Sequence, residues 1–265
     1  MSKLTCESTP LVKSRDLKNT YYSYTFGPYP RIADCRPGQF IHLQLPTRDI
    51  YFRRPMSIAS VDLKKKEVEI IFKIFGHGTS LLATHHVNES VNILGPLGVP
   101  FTLPRKNETA IMIAGGIGFP PLLFLAKDMI KRGHNPKLIE FFYGGRSSAD
   151  IVERSRLRKL GVNFHPVTDD GSFGEEGFVT DSVARFLSRH KGTQNYRIYG
   201  CGPEAMLKAT DTLGLTHTIP GQLSLEAPMP CGFGVCLGCV VPLRGGGHAR
   251  VCVDGPVFEI GQVLL

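Results

Sequence analysis

"TAIMIAGGIGFPPLLFLAKDMIKRG", Thr109 to Gly133, decides how the chain is read. Its first half is an unbroken apolar run with β-branched residues, the mark of a strand buried on both faces. Its second half opens at glycines, carries Pro120 and Pro121 in a first helical turn that needs no N–H from them, and ends at Gly133. A strand that feeds a helix through a Gly-rich turn predicts one βα unit of a parallel sheet. Bare backbone and free helix N–H groups at that turn suit a phosphate.

Toward the C-terminus the same alternation repeats. "KLIEFFYGG", "SADIVERSRLRKLG", "VNFHPVTDD", "VTDSVARFLSRHKG", "YRIYGCG", "PEAMLKATDTLG" and "QLSLE" read in turn as strand or helix. They predict a doubly wound parallel sheet, whose ligands bind at the carboxyl ends of its strands. "YGCGPEAML", Tyr199 to Leu207, is a second Gly-rich strand end that opens a helix. Two such openings suit an extended dinucleotide, with Gly115, Gly116, Gly118 and Pro120 at one and Cys201, Gly202 and Pro203 at the other. Asp169 in "TDDGSFG" stands at the end of a third strand; it and Asp170 favour NAD, whereas Arg146 in "YGGRSS" offers a cation for the 2′-phosphate of NADP. Cys201 has two readings, a packed core thiol or a residue beside the nicotinamide.

Toward the N-terminus the character changes to short runs of β-branched and aromatic residues: "YYSYTF", "GQFIHLQLP", "RRPMSIASV", "EVEIIFKIF" and "SVNILGPLG". These predict a small antiparallel barrel. One helix, "SLLATHH", interrupts it, with Thr79 or Ser80 as the cap and His85 and His86 at its exposed end. Lys64 to Lys66 read as a solvated hairpin turn. Arg54 offers a bidentate fork for a diphosphate, Ser57 a hydroxyl for a ring heteroatom, and Gly78 and Thr79 a helix start for phosphate oxygens.

The 31 basic and 23 acidic residues leave a net charge of +8, but no basic run is interleaved with aromatics, so nucleic acid is not expected as a partner. Phosphate-bearing cofactors suit the charge better. The first residues lack a signal-peptide core, and no stretch approaches the ~20 apolar residues a bilayer span needs. A soluble, cytoplasmic protein with no membrane partner is expected. Seven cysteines, four of them near the C-terminus, fit a reduced compartment and a ligand set.

Those four are Cys231, Cys236, Cys239 and Cys252, with four, two and twelve residues between them. The first two gaps match a plant-type 2Fe–2S pattern, while zinc ribbons usually pair cysteines across two residues. Gly232, Gly234 and Gly238 let backbone N–H groups approach inorganic sulfides. A 2Fe–2S cluster is favoured, with zinc and a redox disulfide as the other readings.

The combination of a barrel carrying Arg-Pro-Met-Ser, then Gly-His-Gly-Thr, "GPLG", "AGGIGFPP" and "YGCGPEAML", resembles the ferredoxin reductase family over residues 5 to 225. That resemblance implies FAD at Arg54, Pro55, Met56 and Ser57, with Ile71, Phe72, Lys73, Gly78 and Thr79 completing its pocket, and a nicotinamide cofactor on the sheet. "LSLEAPMPCGFGVCLGCVVP" followed by "RVCVDGPVF" resembles, over essentially the whole chain, the electron-transfer subunits of heteromeric NADH-linked dihydroorotate dehydrogenases. This implies 2Fe–2S ligation by the four cysteines and a partner, an FMN-containing dihydroorotate dehydrogenase catalytic subunit, in a heterotetramer with two of each subunit. Dihydroorotate chemistry then belongs to the partner, and electrons pass from its FMN by way of cluster and FAD to NAD. The domains expected are an FAD-binding β-barrel (1–104), an NAD-binding α/β domain (105–226) and a small C-terminal iron–sulfur module (227–265). The alternatives are a related flavin and iron–sulfur subunit, as in sulfide dehydrogenase or a ferredoxin–NADP reductase complex, a self-contained NADH-dependent reductase, and a zinc-stabilised binding module.

Overall fold

The computed structural model describes residues 5–45, 47, 50–190 and 195–265. Its first half is six antiparallel strands, β1 (Cys6–Lys18), β2 (Tyr21–Phe26), β3 (Phe40–Gln44), β4 (Arg54–Asp62), β5 (Glu67–Lys73) and β6 (Ser90–Leu97), with helix α1 (His77–Ala83) between the last two. They close in the order β1-β2-β5-β4-β3-β6. Closure removes the exposed strand edges that an open sheet of this size would present. Tyr24, Phe26, Ile41, Leu43, Ile58, Ile70 and Ile93 fill the interior. Lys64 to Lys66 form the exposed turn between β4 and β5, as their charge predicts.

The second half alternates β7 (Thr109–Gly115), α2 (Phe119–Lys131), β8 (Ile139–Gly145), α3 (Arg154–Lys159), β9 (Asn163–Thr168), β10 (Glu175–Glu176), α4 (Val179–Arg189), β11 (Tyr196–Cys201), α5 (Glu204–His217) and β12 (Gly221–Ser224). The sheet order is β10-β9-β8-β7-β11-β12, all parallel. Side chains of β7 divide with period two. Ala110, Met112 and Ala114 pack with α2, while Ile111 and Ile113 pack with Val183 and Leu187 of α4. The doubly wound expectation is met.

Three local readings differ. Helix α3 spans only Arg154–Lys159, because Asp150 is drawn into contacts with Lys73 and Tyr21 and Glu153 takes a left-handed φ of 55°, so the preceding residues cannot join the helix. Helix α1 starts at His77, with Thr79 inside its first turn; the Thr79 hydroxyl accepts from the Phe75 and Gly76 N–H groups at 2.8 and 3.2 Å instead of serving as the N-cap. His85 is buried beyond the end of that helix, its carbonyl accepting from Tyr24 Oη. Lys191 and Gly192, read as the close of α4, lie outside the described residues.

The C-terminal segment holds a hairpin, β13 (Val240–Pro242) with β14 (His248–Arg250), and then β15 (Val257–Glu259). β15 returns to pair antiparallel with β12, so the cysteine-rich segment is stitched into the large sheet as its edge strand. Barrel and sheet also share an interface: Tyr21, Ala59 and Ile71 of the barrel pack in one cluster with Leu122 and Leu123 of α2. Among the described residues no helix is long and apolar enough to cross a membrane.

Candidate redox site

The carboxyl ends of β7 and β11 meet at the centre of the sheet, where connections leave in opposite directions. There the two Gly-rich turns touch. A Cβ on Gly118 would lie 2.2 Å from the Cys201 carbonyl oxygen, and one on Gly202 would lie 2.9 Å from Gly115 N. No side chain fits between these backbones. Gly116 has φ +51° and open space where its Cβ would be, in front of the first turn of α2. The arrangement is what a ligand phosphate approaching a helix N-terminus requires.

A cavity of about 230 Å³ opens between this point and the barrel. Arg54, Pro55, Met56 and Ser57 of β4, Ile71, Phe72 and Lys73 of β5, and Thr79 of α1 line the barrel side. Gly78 is beside them, its Cα against the Arg54 guanidinium, where a Cβ would come within 3.2 Å of Nε. Pro120 and Cys201 line the sheet side; Gly115, Gly116, Gly118, Gly202 and Pro203 form the adjoining strand ends. Asp169 stands apart, exposed in the turn after β9, with its N–H donating to Gly145 O at 3.0 Å.

The charges in this cavity are unequally committed. Arg54 Nε is buried with no hydrogen-bond partner among the described residues, which suits an anionic ligand. Lys73, by contrast, is held 2.7 Å from Asp150, whose carboxylate also accepts from Tyr21 Oη at 3.0 Å. It ties the barrel to the sheet. Cys201 is buried, and burial first, then the Glu226 carboxylate, pushes its thiol well above the usual range. It is a buried thiol that also lines the cavity. Glu226 and Ser224 line the same wall, and desolvation raises the Glu226 carboxyl. The sequence shows Glu226 only within "LSLE", and nothing in its spacing marks it as a cavity residue.

On the far side of the cavity, Phe40 and Met229 belong to both its wall and the apolar cluster that contains Cys239 and Cys252. The four cysteines are free thiols arranged as two pairs. Cys239 and Cys252 have their sulfurs 3.3 Å apart. Burial would raise the Cys231 pKa, but the nearby backbone N–H groups of Cys236, Phe233 and Val235 and the Cys236 thiol outweigh it and bring it to about 6. Gly238 N–H points at Cys236 Sγ from 3.4 Å. Burial, then the neighbouring Cys239 thiol, push Cys252 up to about 12.

Among the described residues, no three His, Cys, Asp or Glu side chains form a group able to hold one metal ion. A two-iron rhomb asks for something else, two thiolates on each iron with N–H donors around the sulfurs. Two cysteine pairs ringed by amides fit that demand. Gly232 shows how tightly the loop is laid down: its φ is +81°, and a Cβ there would meet the His42 ring at 2.6 Å. His42 itself is buried on β3, and desolvation, with help from Arg53 and Arg54, lowers its pKa to about 4.

Two family models match parts of the chain. The family model for the iron–sulfur cluster binding domain of dihydroorotate dehydrogenase B matches residues 226–264, and that for the oxidoreductase NAD-binding domain matches residues 112–212. The dihydroorotate dehydrogenase B (NAD(+)) electron transfer subunit of Shouchella clausii is 36% identical over 87% of each chain, and that of Enterococcus faecalis is 39% identical over 87% of each. The Desulforamulus reducens subunit of the same name is 35% identical over 93% of each. Among solved structures, an NADH-dependent reduced ferredoxin–NADP oxidoreductase superposes with a TM-score of 0.85 at 24% identity, covering 100% of this chain and 91% of that one. A cytochrome P450 reductase of Amycolatopsis gives 0.68 at 22% identity, covering 82% and 67%. These structures share the fold, a closed antiparallel barrel followed by a mainly parallel sheet. On the similarity of sequence along nearly its full length, the chain belongs to the family of dihydroorotate dehydrogenase B electron transfer subunits.

Proposed function

We propose that this chain carries electrons between NAD and a separate catalytic subunit that oxidises dihydroorotate, using FAD in the barrel–sheet cavity and a 2Fe–2S cluster on Cys231, Cys236, Cys239 and Cys252. When bound, the flavin exchanges a hydride with NAD and the cluster handles electrons singly, so the two together join a two-electron carrier to a one-electron carrier. One observation carries the reading: the cavity touches the Gly-rich strand ends on one wall, while another wall, through Phe40 and Met229, is continuous with the apolar cluster holding Cys239 and Cys252.

The residues have distinct tasks. Arg54 faces the cavity with an Nε that has no partner among the described residues, and holds the flavin diphosphate, with Thr79 and Gly78 beside it. Pro55, Met56 and Ser57, with Ile71, Phe72 and Lys73, frame the ring system. Gly115, Gly116, Gly118 and Pro120, with Gly202 and Pro203, receive the nicotinamide nucleotide against bare backbone, and Cys201 closes the wall beside it. Asp169, exposed beyond β9, meets the adenosine end and disfavours a 2′-phosphate. The cysteine pairs and their surrounding N–H groups hold the cluster. No side chain here acts on dihydroorotate.

Phe233, Val235, Leu237, Val240 and Val253 stand exposed around the cysteine loop, Val235 at 72% and Leu237 at 62%. Apolar residues grouped at the exit of an electron path belong to an interface. The occupant is the catalytic subunit, containing FMN, with two copies of each chain in a cytoplasmic heterotetramer. Replacing Cys236→Ser tests the relay: orotate-linked NAD reduction by the reconstituted complex is lost, while NADH-to-dye transfer persists. Survival of both activities contradicts the reading.

A further inference from the structure

His42 is not used by the functions above, yet its surroundings are unusual. It is fully buried, and neither ring nitrogen has a hydrogen-bond partner among the described residues. A buried polar group left so is destabilising unless something outside the chain satisfies it. Its register partners on the neighbouring strands, Pro55 and Leu94, bring no polar side chain to it. The ring instead leans on Phe40, with centroids 5.4 Å apart, and presents its Nδ1–Cε1 edge to the cysteine loop. The closeness is seen at Gly232: a Cβ there would lie 2.6 Å from Cε1 and 2.7 Å from Nδ1. Gly232 follows Cys231 directly, and Phe40 lines the flavin cavity.

We propose that His42 is a positioning residue for the iron–sulfur cluster: its imidazole N–H, aimed from the barrel core at the Cys231–Gly232 turn, donates a hydrogen bond to the sulfur shell of the occupied loop and raises the cluster's reduction potential. The inference rests on the reading that this loop holds a 2Fe–2S cluster. A phenylalanine would fill the same space without desolvating two nitrogens, as Phe40 does two residues earlier on the same face. An N–H donated to cluster sulfur stabilises the reduced, more negative form, which is the direction that raises a potential. The barrel thereby acts on the cluster through one side chain, next to the wall of the flavin cavity.

The test is an EPR-monitored redox titration of the anaerobically purified holoprotein, wild type against His42→Phe and His42→Gln. In His42→Phe the reduced-to-oxidised ratio at the wild-type midpoint falls about tenfold, a shift of ~59 mV to more negative potential for one electron. His42→Gln, which keeps an N–H donor, falls much less. A His42→Phe cluster with the wild-type midpoint overturns the proposal. Electron spin-echo measurements on the reduced wild-type cluster, with ¹⁵N-labelled histidine, give a second readout that needs no folded variant. A weak coupling to an imidazole nitrogen is expected, and its absence also overturns the proposal. A wild-type chain with no cluster signal at all overturns the underlying cluster reading, and this inference with it.

Discussion

Lys73 shows how one side chain can carry a contact that its sequence gives no sign of. It lies in "IFKIFG" and lines the cavity, and its ammonium is also held 2.7 Å from Asp150. Burial of Asp150 would raise its pKa; the hydrogen bonds from Lys73 and Tyr21 outweigh burial and hold it below its ordinary 3.8. The sign follows. Below the unfolded value the unfolded chain binds more protons than the native one, so this contribution is full above about pH 4 and fades as pH falls through the depressed native value. Lys73→Met should lower stability by about 1–2 kcal/mol at pH 7. In urea titrations repeated from pH 7 to pH 3, the difference between wild type and variant should shrink toward the acid end. A difference that grows on acidification contradicts the pairing.

Elements were legible where pattern and packing agree. β7 and α2 follow directly from an apolar run, a Gly-rich turn and prolines, and tertiary contacts oppose none of these signals. The pattern overextends α3, because the residues before Arg154 are claimed by contacts with a strand of the barrel, which periodicity cannot register. For the same reason Glu226 and His42 escaped notice. Each is a single polar residue in an ordinary strand-like run, and it gains meaning only from what a distant segment places beside it. The glycine signals fared better, because close backbone approach leaves no substitute. Gly118→Ala puts a methyl group 2.2 Å from the Cys201 carbonyl oxygen, and backbone cannot move aside as a flexible side chain does. It should destabilise by about 1–3 kcal/mol. It should also weaken NADH binding at least about tenfold in equilibrium titration. Gly116→Ala meets no protein atoms, so for stability it serves as the comparison, its folding penalty confined to a left-handed φ.

Across the whole molecule, three segments share their walls. The barrel supplies Phe40 and Arg54, the sheet supplies Cys201 and Ser224, and the C-terminal segment supplies Met229 and Pro256 to one cavity. β15 then anchors the cysteine loop to the sheet edge beside β12. The loop's exposed face carries Phe233, Val235 and Leu237, away from that cavity wall. Replacing all three by serine should abolish co-elution with the catalytic subunit in size-exclusion chromatography, with NADH-to-dye activity unchanged; retained co-elution would place the interface elsewhere. With FAD and a 2Fe–2S cluster bound, one chain would hold both a two-electron and a one-electron centre. An anaerobic dithionite titration followed by absorbance tests it most directly. Uptake of about three electrons per chain is expected, about two bleaching flavin bands and about one bleaching cluster absorbance. Uptake of about two with no cluster component, or no visible chromophore at all, would contradict it.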